Sequence, residues 1–335
     1  MLLLGSWPNF LRLAGKWRYE LFFWDFSLGI LLTALLAAFT LGSLNAKELT
    51  YQDNLLIASL HSIGYGLSAG LVVNLANLLL LGALSVAPLS VVYPVGMGVA
   101  AVTGTMWTLL PAPNGLLLPL GGVVALLAAI VVGAFAYSTY AQAHREAQKP
   151  PATPPRPASK AAAAPAPIKG VTLSVLSGVA LGLAVTLLSR FRNGEDGLAA
   201  YTAVLMMAIA IVVSTLVFSP FYLAFAVHGA PVQIRAYFQG GKKQHLWGLL
   251  AGAVWACGLL ANFASGGTLA NVQASTLAIR AFTGGAVILG TLWGLLAWRE
   301  FRGSTSRVRI LLTVMLLLWA AGAAMLALAA NGAAQ

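Results

Sequence analysis

Charge is what this chain has least of. Only 8% of its residues are Asp, Glu, Lys or Arg, against about 25% in soluble domains, and that scarcity excludes an ordinary water-soluble globule. Cysteine is nearly absent as well. The single Cys257 rules out an internal disulfide and a cysteine metal site, and its place in an apolar run suits a small packed residue. The four histidines, His61, His144, His228 and His245, do not cluster with acids or with Cys257 at metal spacing, so neither a metal site, a cofactor nor a hydrolytic triad is expected. No G-x-x-x-x-G-K-S/T loop occurs, which removes support for ATP-driven chemistry.

What is there is hydrophobic. Apolar residues make up 59% of the 335, and the mean hydropathy is +0.86, the signature of an all-α polytopic membrane protein. Runs of about 20 apolar residues fall at Leu21 to Leu44, Ile63 to Val86, Leu89 to Leu110, Gly115 to Ala141, Val171 to Ser189, Leu198 to Val227, Leu246 to Ala264, Thr276 to Trp298 and Arg307 to Ala330. Met1 to Leu13 is apolar but too short to cross alone at about 1.5 Å per residue, so the first of ten segments is expected to be short or truncated. It lacks a basic start and a small-residue cleavage site, which argues against a signal peptide.

The net charge of +11 does not point to nucleic acid. Most Lys and Arg residues sit in the loops after the first, third, fifth, seventh and ninth segments, which makes that side cytoplasmic and puts both termini outside. The longest of these loops, residues 142–170, is rich in Pro and Ala and reads as a disordered cytoplasmic linker between a first unit, 1–141, and a second, 171–335.

The two units repeat one another. Val91 to Leu110 aligns without a gap on Leu277 to Leu296, sharing Gly98/Gly284, Ala100/Ala286, Gly104/Gly290, Thr105/Thr291 and Trp107/Trp293. Just upstream, Ala76-Asn77 matches Ala261-Asn262. Each unit has an odd number of segments, five, so the second must enter the membrane upside down. Two inverted five-helix repeats are the build of a transporter whose site lies where the copies meet.

Polar groups inside the apolar runs need a partner or a purpose. Asn77 and Asn262, with Asn74 one turn from Asn77, are candidates for substrate contact across a pseudo-two-fold axis, or for hydrogen bonds between helices. Trp107 and Trp293 share a repeat position and suit an interface belt, packing within each half, or the pathway wall. Gly66/Gly70, Gly248/Gly252, Gly178/Gly182 and Gly290/Gly294 have the spacing that permits close helix approach. Asp25 is the one acid within a span, read either as a cap near a helix start or as a proton-coupling carboxylate. Arg280 lies at a comparable depth near the opposite face, snorkelling to the outer interface or acting at an outer gate.

Gly5-Ser6-Trp7-Pro8-Asn9, the WRYELFFWDF segment from Trp17, the Asn77 and Asn262 helices and the LWGLLAWREFRG run from Leu292 resemble the ureide permease and glucose/ribose-type uptake proteins of the drug/metabolite transporter superfamily. The resemblance implies a ten-helix carrier working by alternating access, with helices one, three, four, six, eight and nine around the cavity. It also implies a proton symporter of ureides or nucleobases in one branch and a monosaccharide carrier in the other. Tyr93 and Thr283 are further candidate substrate contacts. Thr283-Gly284-Gly285 stands where ureide carriers are expected to hold a Gln-containing stretch.

The expectation is therefore a secondary transporter in the plasma or inner membrane. Its partners would be the lipid bilayer, a small polar, mostly uncharged metabolite and, in the symport reading, a proton; the oligomeric state is left open. The first guess is a ureide or nucleobase, the alternative a sugar. A metabolite exporter, a channel and a membrane-embedded enzyme are weaker readings, because no filter-like charged ring and no convergent catalytic set is present.

Overall fold

The computed structural model describes residues 2–44, 49–109, 117–147, 167–191, 196–265 and 284–332, and every regular element among them is helical. In chain order these are α1 (Leu2–Ser6), α2 (Asn9–Leu13), α3 (Tyr19–Phe39), α4 (Tyr51–Ile57), α5 (Leu60–Leu84), α6 (Leu89–Leu109), α7 (Leu117–Ala147), α8 (Pro167–Phe191), α9 (Ala200–Ala224), α10 (Arg235–Phe238), α11 (Lys242–Ser265) and α13 (Ser306–Gly332). Between the last two lies α12 (Gly284–Ala297), whose final turn, Trp293–Ala297, is a π-helix. Eight of the described helices, α3, α5 to α9, α11 and α13, are long and apolar enough to cross a membrane.

Several boundaries differ from those read off the sequence. The short first segment is two helices rather than one: the chain breaks around Trp7 and Pro8, where proline removes an amide donor. The segment expected to run to Leu44 ends as a helix at Phe39. Beyond it α4 was not foreseen; it begins where the Thr50 hydroxyl accepts the Asp53 amide at 3.2 Å, a serine/threonine cap. Both ends of the expected linker are helical, α7 running on to Ala147 and α8 starting at Pro167. Proline is well placed in that first helical turn, where the missing amide has no partner to lose. Arg280, Thr283 and the first part of the expected Thr276 to Trp298 span lie outside the described residues.

Small residues decide which helices touch. Gly66 and Gly70 bring α5 against Met206 and Met207 of α9, while Gly248 and Gly252 bring α11 against Asp25, Phe26 and Ile30 of α3. Gly178 and Gly182 seat α8 on Gly96, Val99 and Thr103 of α6, and Gly5 seats α1 on Ala286 of α12. At most of these positions a Cβ would strike the backbone of the facing helix, so glycine is required by distance rather than by torsion. The remaining broad contacts are α5 with α8, α7 with α13, and α3 with α9.

The interior is aromatic. Trp7 stacks on Phe26 at 4.9 Å, Phe26 lies 5.8 Å from Phe23 and 6.2 Å from Trp255, and Tyr93, Phe263 and Trp319 are buried with them. Such pairs add about 0.5–1.5 kcal/mol each beyond the area they bury. Outward-facing positions carry Leu32, Leu36, Phe39, Val131 and Leu317, an apolar exterior suited to lipid. Cys257 belongs to that exterior: the expected packed residue is exposed.

Candidate functional site

Where α1, α5, α6, α8, α11 and α12 converge, they enclose a cavity of ≈ 140 Å³, completed by side chains from α7, α9 and α13. Trp7, Tyr93, Trp255, Phe263 and Trp319 form much of the wall, and Asn77 and Asn262 supply two amides from opposite halves of the chain. Ala100 and Ala286, another pair at one repeat position, also line it. No Asp, Glu, Lys, Arg or His is among the described residues of this wall.

The sequence candidates fall in different places. Asn77 is 3% exposed and its Nδ2 meets no hydrogen-bond partner among the described residues. Tyr93 lines the cavity and donates its hydroxyl to the Leu4 carbonyl, which ties α6 to α1. Asn74, one turn from Asn77, turns to α9 instead and donates to Ser214 Oγ at 2.8 Å and Thr215 Oγ1 at 3.1 Å. Trp107 and Trp293 are 59% and 44% exposed and stand outside the cavity wall; Trp293 donates to Ser6 Oγ at 3.0 Å. Their shared repeat position therefore marks an outer surface rather than the pathway.

Two polar clusters lie at one end of the bundle, where α2 ends and α3, α6 and α11 begin. The first is built on Glu300, just beyond α12. Arg299 adopts φ 49° and the Glu300 amide returns to the Gly294 carbonyl at 3.1 Å, which closes the helix end through a left-handed residue. The left-handed residue costs about 1–2 kcal/mol and aims the Glu300 carboxylate at the start of α6. There it accepts the Leu89 and Ser90 amides, each at 2.8 Å, and the Ser90 hydroxyl, and pairs with Arg12 of α2. Two orphan amides of α6 are thus satisfied by a charge that its dipole favours. Trp298 adds a second strap, donating to Asn9 Oδ1 at 2.6 Å while its ring lies 5.4 Å below the Arg12 guanidinium.

The second cluster is built on Asp25. It is not a helix cap: α3 starts at Tyr19, and the Asp25 carboxylate, 2% exposed, reaches across to other elements. The Tyr237 hydroxyl on α10 donates to Oδ1 at 2.6 Å, and His245 Nδ1 on α11 lies 3.0 Å from both carboxylate oxygens. His245, which sequence spacing left apart from any acid, therefore has one, 220 positions away. Burial, and then the adjacent Asp25 carboxylate, push the Tyr237 phenol above its ordinary range, so it acts as a donor only. Nearby, Arg18 holds the buried Glu20 carboxylate at 2.7 and 3.1 Å and donates to the Ala230 carbonyl at 3.0 Å.

No curated protein matches this sequence. A crystal structure described only as that of a protein aligns over 100% of this chain and 96% of its own, at 15% identity and a TM-score of 0.46, a likeness that carries no argument. Residues 166–330, which run from the start of α8 into α13, match the ureide permease family model. That match spans the second half of the chain, which is thus similar to the ureide permeases, and with eight helices of membrane-crossing length it supports a multi-pass transmembrane transport protein.

Proposed function

We propose that the chain is a secondary carrier that moves a small, polar, uncharged metabolite by alternating access, with Asn77 and Asn262 contacting the solute from opposite inverted repeats. A ureide or nucleobase is the first assignment and a sugar the second. The observation that carries this reading is the cavity itself, walled by aromatic rings, offering two amides and holding no charge among its described residues. An ion would enter it without compensation at a cost of many kcal/mol, whereas a neutral solute needs only hydrogen bonds and a flat apolar surface. Its ≈ 140 Å³ is close to a cavity of about 150 Å³ that holds one benzene ring, which favours a single ring over a fused pair.

The repeat reading comprises ten segments, α1 with α2 forming the short first one and α12 the ninth, with units 1–141 and 171–335 joined by 142–170. Contact partners support it. Exchanging each segment with its counterpart turns the packing of α5 on α9 into that of α11 on α3, and the packing of α6 on α8 into that of α12 on α1. Contacts of α3 with α9 and α7 with α13 map onto themselves, as expected on a two-fold axis. Inverted repeats of this kind supply two alternative closures around one fixed site. The basic loops put the termini outside and the Glu300 and Asp25 clusters on the cytoplasmic side. Asp25 is assigned to proton coupling, Tyr93 to the cavity wall, and Arg280 and Thr283 to the outer mouth and the ninth segment.

Purified protein in proteoliposomes tests the reading through counterflow of labelled allantoin, uracil and glucose. The expected result is saturable counterflow of at least one ring solute, with KM raised about tenfold, or about 1.4 kcal/mol, in Asn77→Leu and Asn262→Leu. Flux that rises linearly with concentration and shows no counterflow would make the protein a channel. Chemical conversion of the solute would make it an enzyme.

A further inference from the structure

Building on the carrier reading, we infer that the driving proton binds at a three-residue site formed by Asp25, His245 and Tyr237, apart from the solute cavity and linked to it by α11. The described cavity wall contains no carboxylate, imidazole or amine, so a proton cannot load there on such a group. The Asp25 cluster supplies what the cavity lacks. Its carboxylate is buried, yet the imbedded pair is not sealed, because the His245 side chain is 26% exposed and opens the pair to water.

The geometry sets the proton's path. In the unloaded state a neutral imidazole donates Nδ1–H to the Asp25 carboxylate, leaving the Nε2 lone pair free to accept. One proton from water adds to Nε2 and gives an imidazolium paired with a carboxylate; release from the same nitrogen restores the start. Tyr237 keeps its own proton throughout and holds Oδ1 in place. The Nε2 edge faces Gly240, where a Cβ would strike both Nε2 and the Trp17 ring. Loading changes the cluster from net negative to neutral. An uncompensated buried carboxylate is costly in a low-dielectric surrounding, and a paired one much less so, so only the loaded cluster suits an occluded carrier.

Other charges on the surrounding elements are accounted for. Arg18 and Glu20 pair with each other at the start of α3, Lys16 lies in the preceding loop, Arg235 stands on α10, and Lys242 and Lys243 open α11. None of them bonds to Asp25 or His245; these two meet one another, Tyr237 and the Trp17 ring.

Two physical links join this site to the cavity. Along α11, His245 is followed by Gly248 against Asp25, Gly252 against Phe26, Trp255 in the cavity wall and Asn262 beyond it, a helix rising about 1.5 Å per residue. Across α3, Phe26 adjoins Asp25 in the chain and packs on Trp7 and Trp255, which both line the cavity. Loosening the α3 to α11 contact on proton loss therefore displaces both cavity tryptophans and the amide-bearing helix.

His245→Gln and Asp25→Asn in proteoliposomes test the inference, with labelled uracil and allantoin as probes. Each variant is expected to lose accumulation driven by a pH gradient while keeping solute exchange at equal pH, and Tyr237→Phe is expected to shift the pH dependence of accumulation without abolishing it. A second readout needs no solute. The Trp17 ring lies 5.3 Å from His245, and an imidazolium quenches a neighbouring indole, so wild-type fluorescence should show a pH step absent from both Trp17→Phe and His245→Gln. His245→Gln accumulating solute with the wild-type pH profile, or a fluorescence step unchanged in that variant, would overturn the site. So would a wild-type protein that exchanges solute but never concentrates it under a pH gradient. Failure of every solute to exchange would instead refute the carrier reading, and the fluorescence step would still decide whether this cluster takes up a proton.

Discussion

Replacing Glu300 by alanine should be among the most damaging single changes outside the aromatic core. The carboxylate is 4% exposed and satisfies two backbone amides and a hydroxyl at the start of α6, with Arg12 as its counter-ion. Leaving buried donors unsatisfied costs about 1–3 kcal/mol each, and losing an anion at a helix start costs about 0.3–1 kcal/mol more. These terms are not independent, and the range for breaking a buried pair from one side, about 3–5 kcal/mol, gives roughly 4 kcal/mol for Glu300→Ala. Glu300→Gln keeps one acceptor oxygen but turns the other into an NH2 that faces a backbone amide donor, so it should lose nearly as much as alanine. Arg12 is 34% exposed, so solvent screens its share and Arg12→Ala should cost about 1 kcal/mol or less. Thermal unfolding of the three variants in one detergent reads the order directly. If Arg12→Ala destabilised as much as Glu300→Ala, the ion pair rather than the capping of α6 would be what holds this end together.

Asn74→Leu should lower thermal stability by about 1–3 kcal/mol, because Ser214 and Thr215 lose their partner, while solute affinity in a binding assay stays unchanged; Asn77→Leu should show the reverse. Gly252→Leu should abolish recovery of folded protein on size-exclusion chromatography, since any Cβ there meets the Phe26 carbonyl and the Ile30 amide of α3, and overpacking of even rigid cores costs about 1–3 kcal/mol. Trp107→Phe should leave counterflow kinetics at the wild-type level, as its ring is 59% exposed and outside the cavity. In competition experiments pyrimidines should displace bound solute more strongly than purines, given a cavity of ≈ 140 Å³.

What the sequence marked most clearly was its own repeated residues. Asn77 and Asn262 stand out because duplication leaves them at one position, and both reach the cavity wall. Trp107 and Trp293 stand out for the same reason yet face outward: a repeat marks equivalence, not which side of the helix meets the pathway. Asn74 shows the same limit at shorter range: it lies one turn from Asn77 and near its face, yet it bonds to Ser214 and Thr215 of α9. Contacts between distant segments were invisible. Nothing along the chain links His245 to Asp25 or Glu300 to Ser90, separated by 220 and 210 positions. Glu300 had one local signal, its place one residue beyond an aromatic-basic helix end, but its aim depends on a left-handed Arg299, which sequence rarely announces. The glycine pairs were legible because their consequence is steric and local, and the facing helices press on them as that spacing permits.

In the carrier proposed above, a neutral solute sits among the aromatic rings between Asn77 and Asn262. A cryo-EM structure of the protein in lipid nanodiscs with saturating allantoin or uracil tests it most directly. The account predicts ring-shaped density in the cavity within hydrogen-bond reach of both amides, and no such density in the Asn77→Leu, Asn262→Leu double variant. Solute density elsewhere in the bundle, or equally strong cavity density in the double variant, would contradict it.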